Sequence, residues 1–161
     1  MRIEKNQLAD SNQNHKAEHD ARFDFLSTSL TKNGHDVNAV LQKLQDFQVE
    51  IPSWALGAGG TRFCRFGFQG EPSNLEQKID DVGILHALTQ TAGAISLHIP
   101  WDVPKDYSDI KQVADSHDIL FDAVNSNTFQ DQKNAGESYK FGSLSNTSQA
   151  AREQAIAHNI D

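Results

Sequence analysis

A lone cysteine, Cys64, cannot close an internal disulfide, and no Cys/His spacing suggests a zinc site. Positive charge is scarce too. Fourteen Lys and Arg stand against 22 Asp and Glu, a formal net charge of −8, and the basic residues do not cluster. That balance argues against nucleic acid or an anionic membrane as the main partner. No apolar run is long enough to span a bilayer, and the N-terminus, Met1-Arg-Ile-Glu-Lys-Asn6, has no apolar signal core. A soluble protein of the cytoplasm is the simplest reading. With 161 residues, 37% of them apolar, one globular domain of ordinary size is expected.

The most informative stretch is Ala94–Asp102, Ala-Ile-Ser-Leu-His-Ile-Pro-Trp-Asp. Ile95, Leu97 and Ile99 alternate with Ala94, Ser96 and His98, the period-2 signature of a strand. Pro100 lacks an amide donor, so the strand is expected to stop there. His98 then stands at its carboxyl end, with Trp101 and Asp102 just beyond. In parallel α/β architectures chemistry gathers at that end of the strands.

Ahead of this stretch, residues 1–20 are polar and read as a frayed arm that becomes helix towards Phe23–Leu30. His15 and His19, at i and i+4, share a helix face, but nothing completes a ligand set and a solvated face is the reading. Asn33-Gly34 supplies a left-handed helix end, and Asp36 caps a helix whose stripe of Val37, Val40, Leu41, Leu44 and Phe47 reads as core. Val49–Leu56 reads as a first strand, carrying Trp54. The loop from Gly57 to Pro72 is longer than the ~2–6 residues usual between strand and helix, and its Phe63 and Phe66 suit a lid or an interface. Its glycines match neither nucleotide fingerprint.

Ser73-Asn-Leu-Glu76 has the form of a capping box for a helix with Leu75, Ile79, Val82 and Leu85 on one face, running to about Gln90. His86 near that face reads as a packing residue. A helix around Tyr107–Asp115 turns Ile110 and Val113 inward. Asp118–Val124 reads as a third strand, ending in Asn125-Ser-Asn-Thr-Phe129, which is either turn chemistry or a set of hydrogen-bonding groups for a polyol. Asn146 is the expected cap of a last helix carrying Ala151, Ala155 and Ile156.

The element order implies an α/β fold with parallel pairing: a helical segment over residues 1–48, then about three βα units over 49–161. An open three-stranded sheet has two bare edges and a poorly covered face, and a complete (β/α)₈ barrel needs ~200 residues or more. The chain therefore reads as the N-terminal part of a TIM barrel, an incomplete domain preceded by two helices.

Trp54, then His98 with Trp101, then Asn125, Asn127 and Phe129 fall at successive strand ends. Aromatic walls, an imidazole and amides suit a small polyhydroxylated ligand with one apolar patch. His98, titrating near neutrality, can move a proton between ring and open-chain sugar, or it is a structural histidine. No order of Ser, His and Asp supports nucleophilic catalysis. Asp80 and Asp81 sit mid-helix, and Asp102 and Asp122 have no partner visible in the sequence.

Four motifs, Gly59-Gly-Thr-Arg-Phe63, Ser96-Leu-His-Ile-Pro-Trp-Asp102, Asn125-Ser-Asn-Thr-Phe129 and Ser138-Tyr-Lys-Phe-Gly-Ser-Leu-Ser145, together resemble the bacterial L-rhamnose isomerases of broad substrate range. The resemblance covers nearly everything from Pro52 to Asp161. It implies aldose–ketose interconversion on a xylose-isomerase-like barrel that uses a divalent metal, manganese in the first instance, and assembles as a tetramer. It further implies that His98 opens the sugar ring and that Trp54, Phe63, Trp101 and Phe129 line the substrate pocket. The metal ligands of that family lie on later strands and have no counterpart here. The alternative is a small non-catalytic α/β domain that binds a sugar or a protein partner.

Overall fold

The computed structural model describes residues 4–56, 69–131 and 133–160. Helix α1 spans Lys5–Lys32, 28 residues, so the expected frayed arm is helical almost from its start. A Glu4–Gln7 capping box opens it, the Lys16–Asp20 pair at 2.6 Å and the Glu18–Arg22 pair brace it, and no glycine or proline interrupts it. Gly34 at φ +82° turns the chain, and Asp36 caps α2, Val37–Gln45, by accepting from the Asn38 and Ala39 amides.

The apolar stripe of α2 is not core. None of its residues is buried, and Leu44 and Phe47 are 60% and 63% exposed. The principal neighbour of α2 is α1, and the core gathers instead where α3 (Leu75–Thr89) and α4 (Tyr107–Asp115) meet β2 (Ala94–Ile99). Leu75, Ile79, Val82, Ile95, Ile110, Ala114 and Ile119 form that core.

The first strand is shorter than expected. β1 is only Glu50–Pro52, and Ser53–Ala55 is a 3₁₀ turn, which puts Trp54 on the turn rather than in the strand. Pro52 has no amide to donate to a ladder, and the Ser53 hydroxyl is drawn to Asp102 instead. Three strands, β1, β2 and β3 (Leu120–Ser126), lie in chain order in one parallel sheet, with Ile51 opposite Ile95 and His98 opposite Asn125. The β2–β3 register is irregular between Ile95 and Leu97, which face Phe121 and Val124. This leaves Asp122 and Ala123 against Ser96 alone, a bulge.

Several element ends differ from expectation. Asn74, not Ser73, caps α3 by accepting from the Gln77 amide at 2.9 Å, while Ser73 bonds to the Gln77 side chain. β3 begins two residues late because Ile119 N–H returns to Ala114 O at 3.0 Å and Asp118, at φ +58°, closes the end of α4. At α5, Gln149–Ile160, Asn146 accepts from the Ser148 amide, and the Ser148 hydroxyl faces the Ala151 amide. Among the described residues no helix is long and apolar enough to cross a membrane.

Candidate functional site

The order of residues in β2 decides what its carboxyl end presents. Ile95 points into the core at 0% exposure, and His98, three residues on, is 4% exposed at the next-to-last position of the strand. Three aromatic rings surround that imidazole. Trp101 lies tilted on it with centroids 4.2 Å apart, Trp54 meets it edge-on at 5.7 Å, and Phe129 stands at 5.5 Å. Each comes from a different segment: the turn after β2, the 3₁₀ turn after β1, and the loop after β3. Parallel pairing in chain order brings those three strand ends to one side of the sheet, so residues 75 positions apart in sequence, Trp54 and Phe129, face one imidazole.

The site is a floor with open walls. His98 is buried, whereas Trp101 and Phe129 are 38% and 45% exposed and leave apolar faces open to a ligand. His98 Nε2 is buried with no hydrogen-bond partner among the described residues. A buried polar atom without a partner is costly, and this one stands at a strand end ringed by half-open aromatics. Burial holds the His98 pKa below its ordinary value of 6.5; the nearby Asp102 carboxylate opposes this and the Lys78 ammonium reinforces it. The imidazole is therefore neutral near pH 7 and able to accept a proton.

Of the residues singled out in the sequence, His98, Trp54, Trp101 and Phe129 converge. Phe63 lies outside the described residues, as do Gly57–Gly60 and Phe66. Asn127 is 6% exposed and donates to the Gln130 side chain at 3.2 Å, while Asn125 is exposed opposite His98. His15 and His19 are solvated, their rings 6.1 Å apart on the exposed face of α1.

Asp102, which has no partner visible in the sequence, proves the most heavily engaged side chain of the site. It is 1% exposed and bonded to Ser53, Lys78 and the backbone of His98. Ser53 and Lys78 are absent from the sequence reading. The one signal for Lys78 is its place on the apolar face of α3, a turn after Leu75 and next to Ile79. Among the described residues no group of three or more His, Cys, Asp or Glu side chains is gathered that could hold a metal ion. The divalent metal implied by the resemblance thus finds no donor set in them.

No protein-family model matches the chain. It is similar to two curated proteins, each described as a probable sugar isomerase. One, from Rhizobium meliloti, is 45% identical over 139 residues, which is 86% of this chain and 32% of that protein. The other, from Mesorhizobium japonicum, is 42% identical over 159 residues, 99% of this chain and 36% of that protein. The chain spans about a third of the length of the curated relatives it matches.

Proposed function

We propose that these residues build the ring-opening side of the active site of an aldose–ketose sugar isomerase of the L-rhamnose type, on the first βα units of a TIM barrel. One observation carries the reading: the buried, neutral imidazole of His98, its Nε2 without a partner among the described residues, boxed by Trp54, Trp101 and Phe129 at the carboxyl end of β2. The similarity to two probable sugar isomerases supports it.

Each side chain then has a task. The exposed faces of Trp101 and Phe129 pack on the apolar C–H surface and methyl group of a deoxy sugar, which excludes water from the imidazole. His98 Nε2 takes the proton of the anomeric hydroxyl as the bond from the anomeric carbon to the ring oxygen breaks, and the imidazolium so formed gives a proton back to the ring oxygen, which restores the neutral imidazole. The product is the open-chain aldose. A neutral imidazole is the form this step needs. The later hydrogen transfer lies outside what the described residues supply; a divalent metal, if held by residues elsewhere in the whole protein, would supply polarisation of the sugar oxygens there.

His98→Asn in the whole protein tests the reading. Turnover of ring-form L-rhamnose to L-rhamnulose is expected to fall by about 10²-fold, the scale of one general acid–base group. Manganese affinity, followed by calorimetry, is expected to stay unchanged. Unaltered turnover would reduce His98 to a packing residue.

A further inference from the structure

Behind the imidazole, one carboxylate gathers contacts that the ring stacking does not use. Asp102 Oδ2 accepts the His98 backbone N–H at 2.7 Å and the Ser53 hydroxyl, and its Oδ1 accepts the Lys78 ammonium at 2.7 Å. Asp102 N–H in turn reaches His98 O at 2.9 Å, so the turn from His98 to Asp102 is closed by both main chain and side chain. Lys78 is 5% exposed, on the face of α3 that otherwise carries Leu75, Ile79 and Val82. Lysine is almost never buried unpaired, and a buried ion pair adds little net stability because desolvation offsets the attraction. Its placement supplies another reason for it. Ser53 directly precedes Trp54, and Asp102 directly follows Trp101. The third group held is the amide of His98 itself.

We infer that Lys78 and Asp102 are the positioning pair of this site: the carboxylate fixes the two backbone segments bearing Trp54 and Trp101 relative to His98, and the lysine, reaching in from α3, holds that carboxylate in place. The inference rests on the reading of His98 as the proton-transfer group. Neither residue touches the bound sugar; both act through His98 and its walls. Among the described residues, the charged groups acting on His98 are Asp102 from its own turn and Lys78 from α3. The 3₁₀ turn brings the uncharged Ser53 and Trp54, and the end of β3 and its loop bring Asn125 and Phe129. Asp102 favours the protonated imidazole and Lys78 disfavours it, so the two charges move the His98 titration in opposite senses.

The test is an NMR titration of the His98 ring in the whole protein, with the resonance assigned by its loss in His98→Asn. Asp102→Asn is expected to lower the titration midpoint and Lys78→Gln to raise it. Asp102→Asn is also expected to lower kcat on ring-form sugar by about 100-fold with a smaller change in KM, the loss that a misplacement of ~1 Å brings. Lower thermal midpoints with an unmoved titration in both variants would overturn the pair and leave a packing role. Where a charge variant does not fold, Ser53→Ala decides, since it deletes one hydroxyl and no charge. The ring-current shifts of the His98 protons are then expected to change as Trp54 loosens, and unchanged shifts overturn the inference. A wild-type protein that turns over no sugar, yet shows the opposed titrations, sinks the isomerase reading and keeps the pair. Turnover with unmoved titrations does the reverse.

Discussion

At the scale of single residues, the site joins neighbours in the chain to partners far from them. His98, Trp101 and Asp102 lie within five consecutive positions, and a strand pattern ending at Pro100 places them together without any knowledge of the fold. The bonds of Asp102 to Ser53 and Lys78 span 49 and 24 positions, and no local rule reports them. Lys78 in particular breaks the amphipathic pattern, for a lysine on an apolar stripe is explained only by the carboxylate waiting across the interface. Burial of His98 also sets a pH dependence of stability. Its folded pKa is below 6.5, so the unfolded chain binds the proton more readily. Stability therefore carries its full His98 contribution above about pH 6.5 and loses it as pH falls from there towards the folded value. Urea unfolding at pH 7.5 and 5.5 is expected to show lower stability at the acid pH, with a shallower dependence in His98→Phe. An identical slope in the variant would mean that other groups carry the whole effect.

Elements were read more reliably than their ends. The helices over Val37–Gln45, Leu75–Thr89 and Tyr107–Asp115 follow their apolar spacing and their caps, and β2 follows its alternation. An apolar stripe does not by itself mean core: α2 packs mainly on α1, so Leu44 on the helix and Phe47 just past its end stay open. Propensity also understated α1, where side-chain pairs one turn apart hold a polar sequence in helix. The contact of α3 with the end of α4 is tight enough to test. A Cβ on Gly83 would stand 2.2 Å from His117 Nδ1 and 2.9 Å from its Cβ, so the whole ring has to leave its place beside Asp80, 3.0 Å from His117 Nε2. Gly83→Ala gains at most about 1 kcal/mol of helix propensity against an overpacking cost of about 1–3 kcal/mol. Net destabilisation in urea unfolding is expected, and most of it is expected to vanish in the Gly83→Ala/His117→Ala pair. An additive pair would show that the two sites do not collide.

At the scale of the whole molecule, the sheet is finished on one side and bare on the other. β1 and β2 are covered by α3 and α4, whereas β3 has its side chains open from Leu120 through Asn125, with Leu120 71% and Val124 63% exposed. β3 is also one of the two edge strands of the sheet, with no further strand paired to its outer side among the described residues. A parallel strand is ordinarily covered on both faces, and an exposed apolar edge is a template for pairing with another chain. In the proposed barrel the next strand and the opposite wall cover these groups. The 161-residue polypeptide expressed by itself is therefore expected to self-associate through β3 and, on the proposed reading that the metal ligands of the barrel lie on later strands, to convert no L-rhamnose. Sedimentation velocity across a hundredfold range of concentration reads the first point. Leu120→Lys with Val124→Lys is expected to shift the distribution towards monomer, because charge on an edge strand opposes pairing. Stirring manganese and sugar with the same preparation and assaying ketose reads the second. A monomer at every concentration, or measurable ketose, would mean that β3 is covered within the polypeptide and that the three strands suffice as a working domain.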